Sequence, residues 1–353
     1  MDRAIAWRQG IVDRKRSALE LLALTSDYLT PGPYLLEPEG HVRHLFLGRW
    51  PRSVVATKKP RHYPGLGGGV KRRLKALAGA STPPVLSAVR HRHAPPLEPG
   101  LLGVCALGTN RGNAALFSRD GRHVLRVYRD GRVPEAEVTL RPLLERHLGL
   151  SASRVLPGRA VVLERFAVGE PFGRLDEDRR ESTFRRLLER YAPLVAAEAR
   201  RPKPPFHDVA PTEEVARATA RWLVPSDAAG PGGPIDLRAP GVPSHGDVYG
   251  DNLLVAADGT FELIDFERCA VLPIGYDPLN LVLNESEEGR HDLAAALLSG
   301  AFDAELRRLW AAAGLVFDRA VLWEALRAAM VLHLRVWGRP RTIDWSGLPV
   351  RGA

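Results

Sequence analysis

Alternation of apolar and polar residues predicts a run of short strands in the middle of the chain. The pattern gives strands over 101–107, 114–118 and 123–129, with a glycine-containing turn at 108–112 and an Asp-Gly turn at 120–121. Strands joined by such short turns pair antiparallel with their neighbours. The sequence therefore predicts a small antiparallel sheet that begins near residue 100.

Apolar residues that recur every three or four positions predict helices after this sheet. The first helix is predicted over 133–150, and a further strand over 159–166 follows it. A second helix, over 176–201, has acids in its first turn and arginines in its last, as the helix dipole favours. Beyond 277 the chain is predicted to be mostly helical to about 337. The apolar side of the first helix is predicted to contain Val138, Leu140, Leu143, Leu144 and Leu148.

The composition indicates a globular protein with more than one domain. The 353 residues are 45% hydrophobic, which is enough for a sizeable core. No apolar stretch approaches the roughly 20 residues of a membrane span, and charges interrupt the N-terminal segment where a signal peptide would be apolar, so we expect a cytoplasmic protein. Cys105 and Cys269 lack the spacing of a zinc site and are expected to be free thiols.

The net charge of +9 comes from one stretch of the chain. Residues 40–97 contain twelve Lys and Arg and no Asp or Glu, while the rest has 38 basic and 41 acidic residues. The apolar residues in this stretch predict a folded accessory region rather than a solvated arm. The predicted division is therefore a basic N-terminal region of unknown fold, a sheet region, a helical region and a tail, over 1–95, 100–170, 171–340 and 341–353 respectively.

Acidic residues gather in the segment HGDVYGDNLLVAADGTFELIDFE, which covers residues 245 to 267. It is predicted to be a loop with His245, Asp247 and Asn252, followed by a strand, an Asp-Gly turn and a second strand that ends at Asp265. The hairpin folds Asp265 back toward Asn252. Two oxygen ligands suit Mg²⁺, which keeps the rest of its octahedron for water and phosphate, and Asp247 is then available to meet a hydroxyl.

These spacings resemble the aminoglycoside phosphotransferase and choline kinase-like superfamily, whose catalytic logic is that of protein kinases. The resemblance covers about residues 100 to 337 and implies a two-lobed, protein-kinase-like α/β fold with a small antiparallel-sheet lobe and a helical lobe. It implies that Asp247 is the catalytic base, that Asn252 and Asp265 bind Mg²⁺, and that His245 orients the loop. It also implies that Asp277 supports the catalytic loop.

The resemblance extends to the sheet region, where it implies a site for ATP or GTP. The loop over the phosphates is expected to consist of Gly108, Thr109, Asn110, Arg111 and Gly112. No lysine occurs between 76 and 202, so the phosphate-binding cation on the third strand is expected to be Arg126. Its acidic partner is expected to be Glu137, with Glu135 as the alternative. Backbone groups from Glu164 to Phe166 are expected to meet the adenine edge.

The chemistry implied is transfer of the γ-phosphoryl group to a hydroxyl of a small molecule or glycan, such as an aminoglycoside, a sugar or an amino alcohol. Acids in the sequence NESEEG would suit a cationic acceptor, although such charges are usually solvated at loop ends; these are Glu285, Glu287 and Glu288. Tryptophans in the helical region could line a choline cage, but are more often core residues; these are Trp310, Trp323 and Trp337.

The alternative hypothesis is a catalytically degenerate kinase-like protein that binds a polyanion through residues 40–97. No nucleic-acid motif accompanies these charges, so nucleic acid is not an expected partner. A retained set of Asp247, Asn252 and Asp265 favours the enzyme, which could still use the basic stretch to hold an anionic acceptor.

Overall fold

A computed structural model of the protein describes residues 24–29, 34–37, 44–47, 97, 101–108, 113–199, 240–337 and 343. These residues form two compact units. The first takes its residues from 1–134 and 152–166, and the second from 135–151 and 167 onward. The sequence-based division placed 135–151 with the sheet region, whereas the structure packs this segment with the helical unit.

The first unit is a seven-stranded antiparallel sheet with the order β1-β2-β3-β4-β5-β7-β6. Its core side chains include Leu116, Leu125 and Val161, all of them fully buried. Strands β3, β4, β5 and β7 lie where the alternation predicts them. The bounds are Tyr34–Glu37 (β1), His44–Leu47 (β2), Gly103–Gly108 (β3), Ala114–Ser118 (β4), His123–Val127 (β5), Arg154–Val155 (β6) and Val161–Arg165 (β7).

The first two strands of this sheet come from the part of the chain that the sequence division set apart. Phe46 of β2 pairs with Cys105 of β3, and β1 pairs with β2 in turn. The run His-Leu-Phe-Leu at 44–47 therefore supplies a strand to the sheet, rather than to a separate region. Most of the basic stretch 40–97 lies outside the described residues.

The second unit consists mainly of helices, with two small antiparallel sheets of order β11-β10-β8 and β12-β9. Its strands are Glu170–Pro171 (β8), Gly241–Ser244 (β9), Leu253–Val255 (β10), Phe261–Leu263 (β11) and Ala270–Pro273 (β12). Its helices are Glu135–Thr139 (α1), Arg141–Leu148 (α2), Glu177–Glu198 (α3), Tyr276–Glu287 (α4), Asp292–Ser299 (α5), Asp303–Ala311 (α6) and Arg319–Trp337 (α7).

The single helix predicted over 133–150 is two helices, α1 and α2, because Pro142 interrupts the hydrogen-bond ladder. Proline has no N–H to donate to the carbonyl four residues earlier, and it suits the first turn of a new helix. The break also changes which side chains are buried. Val138 is 47% exposed, so its predicted place on the apolar side was wrong, whereas Leu144 and Leu148 are fully buried.

Helix α3 is the long central helix of the second unit, and it begins as its sequence predicts. The Asp176 carboxylate accepts a hydrogen bond from the backbone N–H of Arg179 at 2.9 Å, which caps the helix. Leu187, Leu188 and Tyr191 of α3 are buried in the core of this unit. Within the part of the chain that is described, no helix has both the length and the apolar content to cross a membrane.

Candidate active site

The loop from His245 to Asn252 follows strand β9 and turns sharply at Gly246. Gly246 has a φ of +79°, and a Cβ placed there would lie 2.2 Å from the backbone carbonyl oxygen of Arg268. Glycine is therefore required both for the backbone conformation and for the close approach of the two backbones. Asp247 is the residue that follows this turn.

His245 is fully buried, and its ring has hydrogen-bond partners on both nitrogens. Nε2 lies 2.9 Å from the carbonyl oxygen of Ile264, and the backbone N–H of Asp247 donates to Nδ1 at 3.3 Å. A carbonyl can only accept, so the proton belongs on Nε2 and Nδ1 is the acceptor. The imidazole thus connects the loop at 245–252 to the end of the hairpin, and its orienting role in catalysis stays a prediction.

Asp277, at the start of α4, accepts hydrogen bonds from the loop backbone. The N–H groups of His245 and Gly246 donate to its two carboxylate oxygens at 2.6 and 2.9 Å, and the Tyr191 hydroxyl donates at 2.6 Å. Burial raises the pKa of Asp277 to about 6, although these three hydrogen bonds act to lower it. Burial beside this carboxylate also raises the pKa of Tyr191. Asp277 therefore has the supporting position that the resemblance implies.

Asn252 lies at the other end of the loop, where the chain enters β10. Its Nδ2 donates to the backbone carbonyl of Asp247 at 3.0 Å, which fixes the side-chain amide relative to the proposed base. Its own carbonyl accepts from the N–H of Ile264 at 2.9 Å, continuing the ladder in which Leu253 pairs with Leu263. Ile264 is therefore opposite Asn252 in the hairpin, and Asp265 is the next residue along the chain.

Asp265 has a φ of 69° and a ψ of 60°, the left-handed conformation. Of the residues whose backbone is described, it is the non-glycine residue with a positive φ. This conformation costs about 1–2 kcal/mol for a side chain with a Cβ, and such strain is concentrated at functional positions. It turns the chain from β11 directly into the 3-10 turn Phe266–Arg268.

The donor atoms at this end of the hairpin fit a magnesium ion. Because Nδ2 of Asn252 already donates to Asp247, its Oδ1 is the atom suited to a cation, and Asp265 supplies a carboxylate on the adjacent strand end. Two oxygen ligands are typical of Mg²⁺ bound together with a nucleotide. No group of three or more His, Cys, Asp and Glu with metal-site geometry occurs in the described ranges.

Two asparagines of α4 support the centre of the loop, and the sequence analysis missed them. Nδ2 of Asn280 and Nδ2 of Asn284 donate to the carbonyl of Val248 at 3.1 and 3.0 Å. Asparagines four residues apart lie on one side of a helix, and such polar residues in an apolar helix were a signal that could have been used. The contribution of Tyr191 has no comparable signal, since its partner Asp277 is 86 residues away.

The predicted cation of the sheet unit is buried in an ion pair. Nε of Arg126 on β5 lies 3.0 Å from Oε1 of Glu164 on the neighbouring strand β7. In the helical unit, Oε2 of Glu137 on α1 accepts from Nη1 of Arg141 at 3.2 Å. The predicted pairing of Arg126 with Glu137, or with Glu135, joins residues of different units and stays a prediction.

The expected nucleotide loop is only partly described. Gly108 ends β3, and Thr109, Asn110, Arg111 and Gly112 lie outside the described residues. In the segment expected to meet adenine, the backbone N–H of Phe166 donates to the carbonyl of Arg122 at 2.7 Å. The Phe166 N–H is therefore engaged within the sheet unit, and the Glu164 side chain in the pair with Arg126.

The acids that suggested a cationic acceptor do not form one exposed cluster. Glu285 is 1% exposed, and its carboxylate is paired with Arg290, which leaves Glu287 and Glu288 nearer the surface. Trp310 is buried and packs against Phe317, so it is a core residue. Trp323 also packs against the core, and the side chain of Trp337 lies outside the described residues.

The sequence model of the phosphotransferase enzyme family matches residues 103–316, which is more than half of the chain. The chain belongs to this family. The match spans both units, including Arg126 of the sheet unit and the whole segment from His245 to Asp277. It confirms the predicted resemblance and the predicted class of enzyme, a phosphotransferase.

Solved structures to which this chain is similar include two phosphotransferases and a choline kinase. Aminoglycoside phosphotransferase APH(3'')-Id from Streptomyces rimosus is 18% identical, covers 64% of this chain and 90% of its own, and has a TM-score of 0.34. Choline kinase LicA from Streptococcus pneumoniae is 14% identical, with coverage of 78% and 91% and a TM-score of 0.38. Macrolide 2'-phosphotransferase MphH from Brachybacterium faecium is 19% identical, with coverage of 66% and 86% and a TM-score of 0.40. No curated protein sequence matches the chain.

Proposed function

We propose that this phosphotransferase moves the γ-phosphoryl group of ATP or GTP to a hydroxyl of a small molecule or glycan. The observation that supports this most strongly is the link between Asp247 and Asn252 at 3.0 Å, on a loop whose hairpin returns Asp265 to the same end. The proposed base and the two proposed metal ligands therefore lie on one short segment of the chain.

Asp247 is proposed to accept the proton of the acceptor hydroxyl and to orient its oxygen toward the γ-phosphorus. Its backbone is fixed on both sides, by the donation of its N–H to His245 and by the Asn252 amide on its carbonyl. A fixed backbone limits where the carboxylate can lie, which is what positioning an incoming hydroxyl requires. General-base catalysis of this kind contributes about 10²–10⁴-fold in rate.

Asn252 and Asp265 are proposed to hold Mg²⁺, which supplies neutralisation of the charge on the nucleotide phosphates when it is bound. Asp265 is suited to this because its left-handed backbone and the hairpin register fix its position relative to Asn252. In the sheet unit, Arg126 and the backbone of 108–112 are proposed to contact the nucleotide phosphates, as the family resemblance implies.

The acceptor is proposed to be an alcohol of the aminoglycoside, sugar, glycan or amino-alcohol type. Glu285 is paired with Arg290, so of the acids at 285–288 it is the one least suited to contact a cationic acceptor. Aminoglycosides, sugars, glycans and amino alcohols are the first acceptors to test. The basic stretch 40–97 makes anionic glycans a reasonable addition to the same panel.

The proposal is tested by release of ADP or GDP over an acceptor panel, with Asp247→Asn as the matched blank. The amide keeps the size of the side chain but cannot take the proton. On any acceptor that responds, kcat of Asp247→Asn is expected to fall by about 10²–10⁴-fold. A variant with wild-type kcat would contradict the role of Asp247, and a wild type inactive on every alcohol would favour the polyanion-binding alternative.

A further inference from the structure

The guanidinium of Arg141 lies against the segment that carries Asp265, although no motif includes this arginine. Its Cζ is 4.3 Å from the centre of the Phe266 ring, and the ring centre of His245 is 4.5 Å from that of Phe266, with the two rings tilted by 60°. All three side chains are almost completely buried. Phe266 therefore contacts both the arginine and His245 of the proposed catalytic loop.

Two carboxylates fix the orientation of the Arg141 side chain. Nε donates to Oε1 of Glu145 at 2.7 Å and Nη1 donates to Oε2 of Glu137 at 3.2 Å. These acids are four residues before and four residues after Arg141, so both reach it along one side of the α1–α2 segment. Because the two carboxylates bind nitrogens in the plane of the guanidinium, the flat face of the group is left to contact the Phe266 ring.

Stability alone is a poor explanation for this arrangement. Removing charged groups from water is costly, and apolar side chains of similar volume often give equal or greater stability at buried positions. A buried arginine between two acids, against a phenylalanine, specifies one ring position more narrowly than an aliphatic contact would. That precision matters at Phe266 because the residue before it is the strained Asp265.

We infer that Arg141 is a positioning residue for the metal-binding segment, acting through Phe266 on Asp265. The inference rests on the proposed role of Asp265 as a magnesium ligand. It also gives Glu137 a function inside the helical unit, because its carboxylate orients Arg141. Glu137 then influences the metal site through the chain Glu137, Arg141, Phe266, Asp265.

The test measures metal binding directly, by electron paramagnetic resonance of Mn²⁺ with a non-hydrolysable ATP analogue. Arg141→Met keeps an unbranched, apolar side chain at this buried position but removes the planar cation. Its Mn²⁺ affinity is expected to fall by about tenfold, as for other groups that orient a metal ligand. Arg141→Lys keeps the positive charge without the planar guanidinium, and its Mn²⁺ affinity is expected to lie between those of Arg141→Met and the wild type.

The matched control is Arg180→Met. Arg180 of α3 is also partly buried in an ion pair, with Nε 2.8 Å from Asp292, and makes no described contact with Phe266. Arg180→Met is expected to lower the melting temperature while leaving Mn²⁺ affinity unchanged. An equal loss of Mn²⁺ affinity in Arg180→Met and Arg141→Met would overturn the inference, since general destabilisation would then explain both.

A double-mutant cycle separates action through Phe266 from an independent effect. If Arg141 acts through the ring, adding Arg141→Met to Phe266→Leu should lower Mn²⁺ affinity little further. Full additivity would contradict the route through Phe266. Should Arg141→Met not fold, Mn²⁺ affinities equal to wild type in both Arg141→Lys and Phe266→Leu would overturn the inference.

The outcome is distinguishable from failure of the proposed activity. A wild type that binds Mn²⁺ with the nucleotide analogue but transfers no phosphoryl group would contradict the proposed function, while the comparison of Arg141 variants still stands. A wild type that binds no Mn²⁺ in the presence of the analogue would overturn both the metal assignment and the role of Arg141.

Discussion

Two hairpins of this protein use the same Asp-Gly turn, and their surroundings differ. In the sheet unit, Gly121 has a φ of +68°, and in the helical unit Gly259 has a φ of +78°. In both turns the aspartate accepts from the backbone N–H two residues later, Asp120 from Arg122 and Asp258 from Thr260, at 2.8 and 2.9 Å. The local chemistry of the two turns is nearly identical.

The first hairpin, β4 and β5, is stabilised by its place inside a wide sheet. Each strand has a neighbour on both sides, so the backbone ladder continues through β3 and β7. The residue predicted to bind phosphate, Arg126, is held by a diagonal ion pair to Glu164 on the next strand. A cation here is fixed by cross-strand pairing within the sheet.

The second hairpin, β10 and β11, has strands of three residues and is braced from outside. Nη1 of Arg186 on α3 donates to the carbonyl of Gly259 at 2.7 Å, and the N–H and hydroxyl of Ser151 donate to the Glu262 carboxylate. Arg190 stacks on the Phe261 ring. The hairpin that ends at Asp265 therefore depends on side chains distant in sequence.

The comparison shows that hairpins with the same Asp-Gly turn can be stabilised in two different ways. Strand pairing spreads stabilisation over many backbone hydrogen bonds, so the first hairpin should tolerate changes in its turn. In the second hairpin the stabilisation comes from a few side-chain contacts that are exposed or partly buried, so each single partner carries a larger share of it. The following predictions test this contrast.

The largest stability effect is expected from breaking the buried ion pair of the first hairpin. Glu164→Gln removes the carboxylate that Nε of Arg126 contacts on the neighbouring strand, and the free energy of unfolding should fall by about 3–5 kcal/mol, as for other buried ion pairs that lose one partner. The control is Glu170→Gln, which breaks the exposed pair between Arg179 and Glu170 at 2.8 Å and should cost less than about 1 kcal/mol. Denaturant unfolding that shows similar losses for both variants would contradict the importance of burial.

The next effect is a dependence of stability on pH that comes from Asp277. The pKa of Asp277 in the folded state is about 6, above the ordinary value of 3.8, so the folded state holds the proton of this carboxyl more tightly than the unfolded state does. The contribution of Asp277 to stability is fully present below about pH 4 and is lost as the pH rises through 6, a change of about 3 kcal/mol.

Thermal or denaturant unfolding of wild type and Asp277→Asn over this range isolates the effect. The stability of the wild type relative to Asp277→Asn should decrease from pH 4 to about pH 7 and then stay constant. Tyr191→Phe removes a hydrogen bond that lowers the pKa of Asp277, so it should move this window to higher pH. A stability difference that increases with pH would contradict the assigned direction of the pKa.

A smaller effect separates two glycines that share a left-handed backbone. Gly246→Ala adds a Cβ that would meet the Arg268 carbonyl, whereas nothing lies within 4 Å of a Cβ at Gly121. Gly121→Ala should cost about 1 kcal/mol from its backbone conformation alone, and Gly246→Ala about 2 kcal/mol more from the backbone clash. Equal losses in free energy of unfolding would show that the loop can move away from Arg268.

Much of the candidate site could be predicted from the sequence because its residues lie close together along the chain. The loop, the Asp-Gly turn and the return of the chain to Asp265 occur within 23 residues, and strand alternation with turn chemistry determines that path. The strands around Arg126 were predictable for the same reason. The break at Pro142 was also readable, since an interior proline cannot continue the helical ladder.

The support of the site could not be predicted, because its contacts join residues far apart in the chain. Ser151 and Glu262 are 111 residues apart, and the Arg141 contact with Phe266 spans a similar separation. Periodicity shows that a residue faces a core but not which distant residue it meets there. The same limit explains why β1 and β2 were assigned to a separate region although β2 pairs with β3.

The central claim is that Asp247 acts on the acceptor while Asn252 and Asp265 hold the metal with the nucleotide. Calorimetric titration of magnesium and a non-hydrolysable ATP analogue into Asp247→Asn and Asp265→Ala tests it, with Asp258→Ala at the exposed hairpin turn as control. We expect wild-type affinity in Asp247→Asn and Asp258→Ala, and a loss of at least about tenfold, or 1.4 kcal/mol, in Asp265→Ala. Undiminished affinity in Asp265→Ala, or an equal loss in Asp247→Asn, would contradict this division of roles.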